Sequence, residues 1–176
     1  MVARSFARIT GRVYLAYFVV AILGMLLAHF KLIPGIVPDC VSNALYIATT
    51  VCLYRLFRPV SGALALIAMV FSLSGCAVDA LNHFHRGPAN VSPLLFFGPF
   101  CILLGVLILR SNFLPHWLGW PLIAAGVGWL AYLAPWVALH AQVPIFAVGF
   151  VAEFELMLWL LIKGLGESRY ASGPTC

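Results

Sequence analysis

The run Pro144-Ile-Phe-Ala-Val-Gly-Phe-Val-Ala-Glu153-Phe-Glu155-Leu-Met-Leu-Trp-Leu-Leu-Ile-Lys163 decides the class of the whole chain. Coiled as a helix, it is long enough to cross a bilayer, which takes about 20 mostly apolar residues. Two acids interrupt it, Glu153 at its midpoint and Glu155 close by. On an insertion scale two charged acids cost about +5 to +7 kcal/mol near the bilayer centre. The eleven Leu, Ile, Phe and Val residues of the run return about −3 to −6 kcal/mol. These nearly cancel, so the helix is marginal alone and needs other helices beside it.

The rest of the chain supplies them. Of its 176 residues, 64% are hydrophobic and 9% charged, with a mean hydropathy of +1.06. A soluble domain carries about 25% charged residues, so the soluble class is excluded. The net charge of +5 comes from basic residues scattered singly at the ends of apolar runs, a pattern that excludes nucleic acid as a partner. Five cysteines, at 40, 52, 76, 101 and 176, contain no Cys-x-x-Cys pair, and neither a disulfide framework nor a thiolate metal site is readable. Arg4, Arg8 and Arg12 precede the apolar stretch 13–30. That stretch is longer than a signal-peptide core of about 7 to 15 residues and lacks an Ala-x-Ala end, so it is expected to be an uncleaved first helix.

Upstream of the deciding run, Pro, Gly and basic residues divide the apolar sequence into five further segments. The expected fold is all-α: one domain, 1–176, of six transmembrane helices at about 11–30, 39–57, 60–83, 92–110, 117–139 and 144–163. Pro59 is expected to open the third helix, Gly98-Pro99 to kink the fourth, and Pro135 to lie near the far end of the fifth. Six spans put both termini on one side. That side carries Arg4, Arg8, Arg12, Arg55, Arg58, Arg110, Lys163 and Arg169, against Lys31 and Arg86 on the other. Positive residues stay cytoplasmic, so both termini are expected inside, with the chain multi-pass in the inner (plasma) membrane. Ala68, Ser72, Cys76 and Ala80 form a small-residue stripe that marks helix three as central, and Gly24 with Ala28 and Ala124 with Gly128 repeat it.

Two constellations can carry chemistry. In the first, Gly149, Glu153, Met157 and Leu160 share a helical face, which places Glu153 against a neighbouring helix. There it serves as a proton, cation or ligand site, or as a neutral hydrogen-bonded strut. Glu155 points about 200° away and is the secondary candidate. In the second, Asp79, Asn82 and His83 lie on one face of helix three at the outer surface. His29 ends helix one, His85 follows helix three, His140 ends helix five, and Asp39 begins helix two at the same level. Asp79, His83, His29 and His140 would make an oxygen and nitrogen site for zinc or another transition metal. The equally available reading is an interfacial polar belt. Two of these histidines as haem ligands rank lower, because helix ends hold axial ligands poorly. The tryptophans at 117, 120, 129, 136 and 159 read as interfacial anchors. No Gly-rich phosphate loop, nucleophile elbow or lipid-modification motif is present.

Three stretches carry a family resemblance: Ala7-Arg8-Ile9-Thr10-Gly11-Arg12-Val13-Tyr14-Leu15; Leu109-Arg110-Ser111-Asn112-Phe113-Leu114-Pro115-His116-Trp117-Leu118-Gly119; and Glu153-Phe154-Glu155-Leu156-Met157-Leu158-Trp159-Leu160-Leu161-Ile162-Lys163-Gly164. The chain resembles the bacterial membrane proteins grouped as domain of unknown function 4386. It departs from their pattern in having Ala152 where they have Gly before the first Glu, and in shorter outer loops. The resemblance implies a multi-pass inner-membrane protein and adds no activity.

The leading functional expectation is therefore a non-enzymatic membrane protein. It would use Glu153 to bind a small or lipidic ligand, or to move a proton or ion, with the lipid bilayer as its standing partner and no resident cofactor. Two rival readings stand beside it. One is a membrane-embedded metal-dependent hydrolase built on Asp79, His83, His29 and His140. The other is a partner subunit whose acids are structural.

Overall fold

A computed structural model describes residues 2–32, 34–84 and 91–165. Among them are six α-helices and no strand: α1 (Val2–His29), α2 (Ile36–Phe57), α3 (Gly62–His83), α4 (Leu94–Arg110), α5 (Gly119–Ala131, entered through a 3₁₀ turn at His116–Leu118) and α6 (Pro135–Ile162). Four segments are long and apolar enough to cross a membrane: Ser5–His29, Ile36–Phe57, Gly62–His83 and His140–Ile162. Leu94–Arg110 is a shorter apolar helix. His85, Arg86, Arg169 and Cys176 lie outside the described residues.

Prolines set most departures from the expected boundaries. Pro135 opens α6 instead of ending α5, and Ala134 before it is extended (φ −78°, ψ 121°), as a residue preceding proline prefers. α5 accordingly stops at Ala131. The long α6 breaks once, at Ala141 (φ −121°, ψ 16°). Pro144 lacks the N–H that would bond to the His140 carbonyl, and its ring crowds that same carbonyl, so the chain bends just ahead of it. At the start of α3 the turn holds Pro59, and Ser61 is the cap, its hydroxyl accepting from the Leu64 N–H at 3.5 Å. α4 runs on through Pro99. α1 begins earlier than expected because its first turns pack on the end of α6. Ala7 and Thr10 are fully buried there, and the Arg8 guanidinium donates to the Ile162 carbonyl at 3.5 Å.

Each helix packs on its neighbours in sequence, and α6 returns to α1, closing a ring. Helix three is therefore not the centre: its buried stripe of Ala65, Ala68, Ser72 and Cys76 faces α2 and α4. The ring closes tightly where glycine removes the side chain. At the α1–α6 seam, a Cβ on Gly11 would stand 2.5 Å from the Leu161 nitrogen. Between α4 and α5 the contact is reciprocal. A Cβ on Gly126 would stand 2.5 Å from the Gly98 carbonyl oxygen, and one on Gly105 would stand 2.6 Å from that of Gly119. The numbers rise along one helix as they fall along the other, so the pair is antiparallel. Of the expected pair Ala124 and Gly128, Ala124 is exposed, whereas Gly128 faces Ile145 of α6, 3.3 Å from where its Cβ would stand.

The inside of the ring has two halves. Toward the end that carries Arg8, Arg55, Arg110 and Lys163, the space is filled by Leu53, Leu56, Phe57, Leu104, Leu107, Leu156, Met157 and Leu160, all buried. Toward the opposite end the ring holds a cavity.

Candidate functional site

The cavity measures about 300 Å³ and takes lining residues from all six helices: Tyr17 and Ala21 of α1, Asp39, Ser42, Asn43 and Tyr46 of α2, Cys76, Asp79 and His83 of α3, Leu94 and Phe97 of α4, Trp129 of α5 and Glu153 of α6. Such a set follows from the ring topology, because each helix presents one inward stripe to a common axis. The walls along α2 and α3 each span seven helical rises, from Asp39 to Tyr46 and from Cys76 to His83. At 1.5 Å per residue that is a depth of about 10 Å.

Glu153 forms the floor. Tyr14 Oη donates to its Oε2 at 2.6 Å, and Tyr46 Oη lies 3.4 Å from Oε1. Tyr14 is completely buried, its ring against Phe18 and Tyr46, while the buried Tyr46 also borders the cavity. The short Tyr14 contact lies in the range of hydrogen bonds to a carboxylate. Two phenol donors hold this acid in place without a basic residue, which resolves how an acid is kept inside an apolar ring. Gly149, one turn before Glu153, leaves room for the Trp129 indole, and a side chain there would collide with it. The face Gly149, Glu153, Met157 and Leu160 does point inward, as its spacing implies.

The mouth is built from Asp39, Asp79 and His83. His83 Nδ1 lies 3.5 Å from Asp39 Oδ2, and its Nε2 lies 3.6 Å from Asp79 Oδ2. These side chains keep 34% to 45% of their surface exposed, which marks them as the entrance, where Tyr46 is the buried end. Between mouth and floor stands Asn43. Its Nδ2 donates to the Cys76 carbonyl at 3.0 Å and to Asp79 Oδ2 at 3.1 Å, which ties α2 to α3 and holds Asp79 toward the cavity.

The two constellations expected separately are thus one chamber, with Glu153 at its floor and Asp79 and His83 at its rim. The other candidates stand outside it. Glu155 is half-buried on another face of α6 and does not line the cavity. His29 is exposed, with its ring edge on Phe30, and the Nδ1 of exposed His140 lies 2.8 Å from the Trp136 carbonyl oxygen. Among the described residues no group of three or more His, Cys, Asp or Glu is arranged to hold a metal ion. Asn43, Tyr14 and Tyr46 are contributors that the sequence reading passed over. The available signal was that polar atoms inside apolar spans must find partners. Trp129, grouped with the interfacial anchors, is instead a buried wall, whereas Trp117, Trp120 and Trp136 are exposed.

Comparison with known proteins agrees with the resemblance read from the three motifs. The family model described as Domain of unknown function (DUF4386) matches residues 78–164, from α3 through the end of α6, and so includes Asp79, His83, Trp129 and Glu153. A protein of Archaeoglobus fulgidus, named only as an uncharacterized protein, is 32% identical over 135 residues, covering 73% of this chain and 82% of that protein. No solved structure matches. The chain belongs to the family described as Domain of unknown function (DUF4386).

Proposed function

We propose that this is a six-span protein of the cell (plasma) membrane, both termini cytoplasmic, which binds a small ligand entering its cavity from the outer face and docking at Glu153. The observation that carries this reading is the floor itself: a carboxyl group fixed by Tyr14 and Tyr46, facing about 300 Å³ of space that leads to a partly exposed rim. That volume is at the small end of ligand sites. The filled half below Glu153 favours binding over conduction. The space near Thr50, Phe100 and Leu107 is only about 10 Å³, room for one water at most. α4, at 17 residues, reaches about 25 Å along its axis, close to the thickness of a bilayer core, and α5 is carried through by its glycine pairing with α4. The basic residues gathered at the filled end support its cytoplasmic placement.

The test is thiol accessibility in intact cells, on a background with all five natural cysteines replaced. Ser42→Cys, inside the cavity, should react with a membrane-impermeant thiol reagent, and Asn112→Cys, exposed at the opposite end, should react only after the cells are opened. Reaction of Asn112→Cys in intact cells reverses the orientation. Silence of Ser42→Cys in a folded protein removes the outward-facing pocket.

A further inference from the structure

We infer that the ligand is a small organic cation, an amine or quaternary ammonium, held by the acids of the chamber and shielded by its aromatic walls. The inference rests on the pocket reading above and specifies its ligand class. Among the described residues, three carboxyl groups face the space, Asp39, Asp79 and Glu153, and neither Lys nor Arg lines it. The one basic group among the described lining residues, His83, already lies between two of those carboxylates. An anionic ligand, including a lipid phosphate or fatty acid, would add negative charge beside three carboxyl groups, with no Lys or Arg among the described lining residues to meet it. A cation instead supplies the missing counter-charge.

The walls give the second, independent argument. Tyr17, Tyr46, Phe97 and Trp129 come from four different helices and surround the approach to Glu153. The Tyr46 ring meets those of Tyr17 and Phe97 at centroid distances of 4.9 and 5.5 Å, so the aromatic surfaces are continuous. Aromatic faces attract ammonium groups and give nothing to a hard metal ion that needs a shell of oxygens. The chemistry matches an alkyl- or arylammonium whose charged end reaches toward the carboxylates and whose apolar part lies on the rings.

The experiment uses the full-length protein in liposomes, with Ser42→Cys on the cysteine-free background, and Ala21→Cys across the cavity as a second reporter in case the first fails to fold. Two thiol reagents of similar size are compared, trimethylammonium-ethyl methanethiosulfonate and sulfonatoethyl methanethiosulfonate. Their rates are divided by their rates on a free thiol in solution. The cationic reagent should then be favoured about tenfold or more, as charged clefts concentrate counter-ions by 10- to 1,000-fold, and Asp79→Asn should cut that preference severalfold. Phenethylamine should slow the reaction, and 3-phenylpropionate at the same concentration should not. A normalised ratio near one, or protection by the carboxylate, overturns the cation assignment and leaves the pocket standing. Failure of both reagents to react overturns the pocket and the assignment together.

Discussion

The two halves of the ring are made by the same six helices and differ in what they put on the axis. The filled half carries Leu53, Leu56, Leu104, Leu156, Met157 and Leu160 and leaves a gap of only about 10 Å³. The open half carries Asn43, Asp79, Glu153 and aromatic rings around a void. In a membrane, apolar surface gains little from leaving lipid for another helix, so association depends on close packing and on polar groups finding partners. The filled half uses the first device and the open half the second. Stability should therefore be concentrated where the ring is packed, and the open half should tolerate change in its walls and floor at small energetic cost while losing its ligand.

Forcing the packed seam apart should have the largest effect. Gly126→Leu drives a side chain into the Gly98 carbonyl, and overpacking against backbone should cost about 3 kcal/mol or more, read as loss of the folded fraction on titration with denaturing detergent. A stability within about 1 kcal/mol of the parent would show that the α4–α5 pairing is not what holds this side of the ring. A matched pair of truncations then compares the halves directly. Leu104→Ala, in the filled half, should cost about 2 to 4 kcal/mol. Leu94→Ala, on a wall that already borders empty space, should cost less than about 1 kcal/mol by the same reasoning. Equal losses would erase the distinction. Changes at the floor should likewise cost little stability. Glu153→Leu removes the acceptor for Tyr14 and Tyr46 at about 1 kcal/mol, the scale of a hydrogen bond between membrane helices. Glu153→Gln, which keeps an acceptor, should fall below that. Both should nevertheless abolish small-ligand adducts in native mass spectrometry, and an adduct that survives in both would mean that Glu153 is not the docking group.

Much of this architecture is legible without coordinates. Six apolar segments, the family motifs and the inward face of Gly149, Glu153, Met157 and Leu160 all follow from spacing and composition. The union of Glu153 with Asp79 and His83 does not, because α6 and α3 touch neither in sequence nor in the ring. They meet only across the void, and a void has no residues of its own to read. Asn43 and Tyr46 look ordinary in a helix rich in hydroxyl groups, and only their three-residue spacing on one face hints that they share a task. Pro135 misleads for a related reason. Proline marks a boundary equally well from either side, and the short turn 132–134 before it has no polar run to announce itself.

The ring also dictates the order in which the chain can be completed. Five of its seams join consecutive helices and can form as each hairpin leaves the ribosome, within a few tens of residues of synthesis. The sixth joins the first helix to the last, and the bond from Tyr14 to Glu153 spans 139 positions. Until α6 arrives, Tyr14 and Tyr46 lack the acid they hold in the finished ring. α6 itself is the segment whose two acids nearly cancel its apolar gain on insertion. Until α6 is in place, a bundle of five helices stands open along one side. A chain stopped before Glu153 would leave both phenols without their acceptor and α1 without its partner, so one carboxyl group ties the opening of the ring to its closure.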